Sequence, residues 1–264
     1  MIFETHAHYD DEAFDGDREE LLASLPGRGI GTVINVCADL ASLETTPALT
    51  DKYAFVYGAV GLHPDHAGQM NEEVMDRLRR LCRREKTVAV GEIGLDYYWN
   101  KECKEVQIHW FERQLELARE EKLPVIIHSR EAAEDTLETA RRCRLAEIGG
   151  VLHCFSYSRE MARQYLDMGV YLGIGGVVTF KNARRLREVV EYAPISHMLL
   201  ETDSPYLAPE PNRGKRNSSL NLPYVAEEIG RLKGLDAEEV IAVTQENARR
   251  LFLAKRVDKQ KESE

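Results

Sequence analysis

The chain has 264 residues, 43% hydrophobic and 30% charged, the makeup of an ordinary globular protein with one sizeable core. Thirty-five basic residues against 45 acidic ones give a net charge of −10, which excludes a protein that coats nucleic acid through a general electrostatic footprint. No apolar run reaches the roughly 18 residues that span a bilayer, and the first residues lack the basic-then-apolar order of a signal peptide. A cytoplasmic protein is expected, or a nuclear one where the source has a nucleus.

Short apolar runs alternate with helical patterns along the chain. Ile2-Phe3-Glu4-Thr5 leads into polar Tyr9-Asp10-Asp11 and reads as a strand ending in a loop. A helix is predicted over Asp15 to Arg28, closed by Gly27 and Gly29, then a strand over Thr32 to Cys37 and a helix over Asp39 to Asp51. The third strand, Tyr53 to Val60, ends in Gly61-Leu62-His63-Pro64, and a helix over Asn71 to Glu85 leads to a strand from Thr87 to Glu92. Gly94 to Trp99 is predicted as a loop, followed by a long helix from about Lys104 to Lys122 that carries His109 as a structural histidine. The next two strands end at His128 and His153, with helices to about Arg144 and over Arg159 to Met168. Val170 to Gly175 is the seventh strand, a helix follows over Asn182 to Tyr192, and the eighth strand ends at Asp203. A Pro/Asn/Ser-rich loop, Ser204 to Asn221, precedes helices over Pro223 to Lys233 and Asp236 to Leu253. This alternation predicts an α/β fold, a single-domain (β/α)8 TIM-type barrel over residues 1–254 with a charged tail over 255–264. An open doubly wound sheet is the competing architecture, and it would spread the strand ends along a row.

Barrels of this kind place their active sites at the carboxyl ends of the strands, and metal-capable residues stand there repeatedly. His6 and His8, two apart at a strand end, face the same way. Thr87-Val88-Ala89-Val90-Gly91-Glu92 ends in a carboxylate, two further runs end in His128 and His153, and the eighth ends in Glu201-Thr202-Asp203. A lone strand-terminal His or Glu is more often structural than a ligand. Recurrence in one position reverses that reading, because buried ionisable groups are costly unless paired or coordinated. His6, His8, Glu92, His128, His153 and Asp203 are therefore the candidate ligands. Four imidazoles and two carboxylates suit Zn²⁺, Mn²⁺ or Fe²⁺ more naturally than Mg²⁺. An open catalytic zinc takes about three protein ligands. Two divalent metal ions about 3.5–4 Å apart accommodate all six, with Glu92 as the bridge because a carboxylate has two oxygens to offer. Such a pair lowers the pKa of bound water, which predicts hydrolysis of an ester or amide, carboxylic or phosphoric, with Asp203 able both to ligate and to take the water's proton.

No other nucleophile competes. Ser129 and Ser156 lie outside any GxSxG elbow. The five cysteines, Cys37, Cys82, Cys103, Cys143 and Cys154, form no CxxC pair and suit a reducing compartment. Cys154, next to His153 on a strand, is expected to face away from the site as a packed thiol.

Quoted together, Glu4-Thr5-His6-Ala7-His8, Gly61-Leu62-His63-Pro64, Gly91-Glu92-Ile93-Gly94-Leu95-Asp96-Tyr97, Pro124-Val125-Ile126-Ile127-His128-Ser129-Arg130, His153-Cys154-Phe155-Ser156 and Glu201-Thr202-Asp203-Ser204-Pro205-Tyr206 closely resemble the TatD family of metal-dependent deoxyribonucleases, within the amidohydrolase-like superfamily. The resemblance runs from about residue 1 to 253 and includes Gly214-Lys215-Arg216-Asn217 and Asn247-Ala248-Arg249-Arg250-Leu251-Phe252. It implies a two-metal barrel in which His6, His8, Glu92 and Asp203 hold one ion and Glu92, His128 and His153 the other. It further implies hydrolysis of DNA phosphodiesters, often from the 3′ end, with single-stranded or frayed 3′ ends as the partner. One departure is a small insertion after the Arg-Asn pair, Asn217-Ser218-Ser219-Leu220-Asn221-Leu222-Pro223, which bears on the substrate rim and not on the metals.

Around the predicted mouth lie His63, Arg130, Lys181, Arg213, Lys215 and Arg216, of which His63, Arg130 and Arg216 are the candidate substrate-binding residues. Tyr97, Tyr98, Trp99 and Phe155 are placed to stack an unpaired base, with core packing as the alternative. Two other readings share these residues: a metallohydrolase of another ester or amide bond (a cyclic amide, lactone, phosphotriester or aminoacyl-tRNA ester), and a non-enzymatic barrel that would have no need of six intact ligands. A monomer is expected, since no exposed apolar stripe stands out.

Overall fold

Each apolar run becomes a strand of one parallel sheet in the computed structural model, which describes residues 1–99 and 101–254. The strands are β1 (Ile2–Ala7), β2 (Ile30–Val36), β3 (Val56–Val60), β4 (Thr87–Asp96), β5 (Val125–Arg130), β6 (Gly150–Leu152), β7 (Tyr171–Ile174) and β8 (Met198–Leu200). They pair in that order, every pair parallel. Helices fill the crossovers: α1 (Arg18–Ser24), α2 (Ser42–Lys52), α3 (Glu72–Cys82), α4 (Lys104–Glu120), α5 (Ala133–Arg142), α6 (Leu145–Ile148), α7 (Arg159–Leu166) and α8 (Arg184–Tyr192). Two more, α9 (Leu222–Lys233) and α10 (Ala237–Phe252), follow β8. The (β/α)8 expectation is met. The predicted tail lies outside the described residues.

Local chemistry accounts for the elements. Parallel strands are covered on both faces, and β1 and β4 are buried at every position. In α3 the Asn71 side chain accepts from the Val74 amide, Glu72 and Glu73 occupy the first turn, and Arg79 and Arg80 the last, as the helix dipole favours. Its Val74, Met75, Leu78 and Cys82 form the buried stripe. At the amino-terminal ends of the strands, α10 packs Phe252 against Phe3, with ring centroids 6.4 Å apart. Asn247 of the same helix donates to the Ile195 and Met198 carbonyls.

Several boundaries differ from expectation, and three have a local physical reason or bear on the site. Pro26 lacks an amide hydrogen, so the helix predicted to Arg28 ends at Ser24 and a 3-10 turn, Pro26–Arg28, replaces its last turn. The loop predicted over Gly94–Trp99 begins three residues late, because β4 continues to Asp96 and pairs Gly94 with His128 and Asp96 with Arg130. Gly94 permits this: its φ is +146°, and a Cβ there would run into the His128 carbonyl. Finally, β8 is only three residues long, and Asp203 stands beyond it with a φ of 56°, in the left-handed region that aspartate enters more readily than most residues.

The seam between β8 and β1 is closed chiefly by side chains and a few backbone bonds. Ala7 bridges Ser204, the His8 amide donates to the Ser204 carbonyl (2.8 Å), and the Asp203 amide to that of His6 (2.9 Å). Deeper in, Glu4 Oε1 accepts from the His6 and Thr202 amides at 3.1 and 2.9 Å, and Oε2 from the Thr202 and Ser219 hydroxyls at 2.7 and 2.9 Å. Burial pushes the Glu4 carboxyl up to about 7 against these four donors. The residues of the insertion thus supply Ser219 to the barrel seam. Replacing Glu4 with Ala leaves four buried donors without their acceptor. It is expected to lower unfolding free energy by about 2–4 kcal/mol, measured by urea denaturation followed by circular dichroism.

Candidate metal centre

Six side chains converge at the carboxyl-terminal ends of the strands. From β1 and just beyond it, His6 and His8 bring their Nε2 atoms to 3.1 Å of each other. Glu92 Oε2 faces them at 3.4 and 3.9 Å, and Asp203 Oδ1 at 3.7 and 3.4 Å. On the other side, Glu92 Oε1 lies 2.7 Å from His153 Nε2 and 2.8 Å from His128 Nδ1, which are themselves 3.4 Å apart. Glu92 therefore turns one oxygen to each of two imidazole pairs.

The imidazoles are oriented from behind. His8 Nδ1 lies 2.8 Å from the Val36 carbonyl, which can only accept, so the neutral ring keeps its proton on Nδ1 and Nε2 is the nitrogen left to ligate. His128 Nε2 lies 2.9 Å from Asp96 Oδ2, which likewise leaves Nδ1 free to ligate. The His6 and His153 rings stack at 4.0 Å, and Glu201 Oε1 lies 3.7 Å from His153 Nδ1. His6 Nδ1, His153 Nδ1 and Glu201 Oε2 are buried without a hydrogen-bond partner. The Glu201 carboxylate occupies the space that a side chain on Gly173 would need. Nitrogen lone pairs and carboxylate oxygens crowded this closely repel one another unless protons or a metal cation lie among them, and the donor set fits divalent metals. His6, His8 and Asp203 form one group able to hold an ion, and Glu92 and His128, with His63, another.

The model of the family described as TatD related DNase matches residues 3–253. The chain belongs to that family. It is 42% identical over 252 residues to an uncharacterized metal-dependent hydrolase of Bacillus subtilis, YabD, covering 96% of this chain and 99% of that one. It is 34% identical over 258 residues to the 3′-5′ ssDNA/RNA exonuclease TatD of Cronobacter sakazakii, with 96% and 98% covered. The crystal structure of the TatD homologue YJJV from Escherichia coli superposes with a TM-score of 0.89 at 31% identity, covering 95% of this chain and 97% of that one. The chain is a metal-dependent hydrolase of TatD type, and its His, Asp and Glu clusters are able to bind metal.

Electrostatics in this TatD-type site are dominated by Glu92. Burial would raise its carboxyl, yet His153 and His6, with bonds from His128 and His153, hold it well below the usual range. Burial alone would lower His8 and His128, but Asp203 and Glu92 lift the first to about 9, and Asp96 and Glu92 lift the second to about 9. Burial lowers His6 to about 4. Burial also pushes the Cys154 thiol well above its ordinary value, which keeps it protonated and outside the chemistry.

The rim residues separate into three groups. His63 lies 3.9 Å from Glu92 Oε1 through Nε2, and its Nδ1 accepts the Asp65 amide at 3.2 Å, so the neutral ring directs Nε2–H at the centre. Burial and His128 lower it to about 3, so it stays neutral. Arg130 caps the Tyr98 ring at 4.0 Å. Arg216, expected to bind substrate, forks onto both Asp17 carboxylate oxygens at 2.7 and 2.6 Å and donates to the Ala13 carbonyl, which fastens its loop to the start of the chain. Arg213 lies over Phe180 at 4.3 Å, and Lys215 reaches Asn212 at 3.5 Å. His109 is exposed on α4 against Trp110.

Asp96 and Glu201 were not among the predicted site residues. Strand alternation carried the signal for Asp96, which stands four residues after Glu92 on a continuing strand, whereas Glu201 lies just beyond β8 and is marked only by its closeness to Asp203. Two outcomes follow. Asp96→Asn weakens the acceptor behind His128 and is expected to lower metal affinity by about 10–100-fold, measured by chelator competition. Since His8 and His128 must shed protons to ligate, metal affinity of the apo protein rises with pH up to about 9 and binding releases protons. Calorimetry in buffers of different ionisation enthalpy reads that release.

Proposed function

We propose that this hydrolase cleaves phosphodiester bonds of single-stranded DNA, working from the 3′ end, with two divalent cations. The observation that carries the reading is Glu92, whose two oxygens serve separate nitrogen sets: His6 and His8 with Asp203, and His128 with His153. Two cations held there would supply a water acidic enough to ionise near neutral pH and positive charge against the phosphate oxygens. Asp203, 18% exposed at its side chain, is the residue of the six that opens furthest to solvent and would orient that water and take its proton. His63, kept neutral, directs its Nε2–H to where a phosphate oxygen would sit. Arg130 provides a guanidinium at the same mouth. With a net charge of −10, such local donors have to substitute for a basic surface. The Cronobacter relative, named a 3′-5′ ssDNA/RNA exonuclease, supports the same substrate class.

A 5′-labelled single-stranded oligonucleotide is expected to shorten progressively from its 3′ end with the metal-loaded protein, and to resist when that end is blocked. Chelation should abolish the ladder. Glu92→Ala and Asp203→Asn should each lower the rate by at least about 100-fold while the protein remains folded. Rapid turnover of a small ester or amide without any DNA shortening would move the assignment to another hydrolysed bond.

A further inference from the structure

Four aromatic residues stand near the mouth, and the structure divides them. Phe155 is buried, and Tyr97 donates its hydroxyl to Asp135 at 2.7 Å beneath Lys104. Tyr98 and Trp99 are instead 50% and 67% exposed, and Trp99 is the most exposed aromatic side chain among the described residues. Their rings meet edge to face at 4.7 Å, and the Arg130 guanidinium lies 4.0 Å from the first centroid and 5.6 Å from the second. Among the described residues Arg130 makes no ion pair, so no carboxylate neutralises its charge beside two exposed rings. This assembly is tied to the metal centre through one carboxylate. Asp96 Oδ2 meets His128 Nε2, while Asp96 Oδ1 accepts the backbone amides of Tyr98 and Trp99 at 2.9 and 3.0 Å.

We propose that Tyr98, Trp99 and Arg130 form a stacking platform for one unpaired nucleobase next to the bond being cut, held in register with the metal centre by Asp96. The inference rests on the nuclease reading above. Open aromatic faces flanked by a guanidinium fit the flat face of a base and its adjoining phosphate, and stacking tolerates any base. A base inside a duplex has its faces already covered, so the platform selects single strands or frayed ends.

A double-mutant cycle tests it. Binding of the metal-loaded protein to a 5′-fluorescent oligonucleotide with hydrolysis-resistant phosphorothioate linkages is read by anisotropy, with an abasic residue placed in turn at each of the last positions. One abasic position should weaken binding about ten-fold, Trp99→Ala should weaken it similarly, and the two together should cost no more than either alone. Trp99→Phe, which keeps a ring, should retain most of the affinity. Losses that multiply, or a Trp99→Ala protein that binds like the wild type, would overturn the platform. Cleavage of an unmodified strand by the wild type is measured alongside. If the wild type cleaves and the losses still multiply, the platform fails and the nuclease reading stands. If it neither binds nor cleaves, the nuclease reading fails and the platform with it.

Discussion

A carboxylate buried among imidazoles is the constraint on which this molecule turns. Glu92 sits in the barrel mouth with its side chain 4% exposed, where an unpaired carboxylate would take up a proton. It remains ionised because His6, His8, His128 and His153 surround it, each within 3.9 Å. Two of those imidazoles are in turn held from behind, His8 by the Val36 carbonyl and His128 by Asp96, while the Glu201 carboxylate lies 3.7 Å from His153 Nδ1. A site built this way is poised for positive charge. Removing any one member would leave its partners buried and uncompensated.

Closure of the barrel is what brings the members together. His6 and His8 come from the first strand and Asp203 from beyond the last, so their contact depends on the seam between β1 and β8. That seam carries little ladder pairing. Glu4, Thr5, Thr202 and Ser219 close it with side-chain hydrogen bonds, and the backbone bonds from Asp203 to His6 and from His8 to Ser204 set the spacing of the candidate ligands directly. Stability of the fold and geometry of the centre therefore share the same few bonds.

Asp96 extends the same economy outward. It orients a candidate ligand with one oxygen and the exposed Tyr98–Trp99 loop with the other. A strongly acidic chain has no long-range pull on a polyanion, so short-range devices of this type have to position one. In the nuclease reading proposed above, Arg130, free of ion pairs among the described residues, would be such a device. Arg216 is forked onto Asp17, which ties its loop to the start of the chain.

The amino-acid sequence by itself determined the alternation of strands and helices, and with it the barrel. It also determined the identity of the six candidate ligands, because strand-end histidines and acids are local features that periodicity exposes. Element boundaries were less legible where glycine or aspartate adopts a conformation unlike its neighbours, as at Gly94 and Asp203. Only the tertiary structure decided which residues support the six. The Glu4–Ser219 contact joins positions 215 apart, and nothing local to either marks it. Arg130 and Arg216 look alike in sequence, but whether a guanidinium is free or engaged depends on which acid the fold brings within reach. The division of Glu92 between two sets of nitrogens is of the same kind: it exists only once eight strand ends meet around one axis.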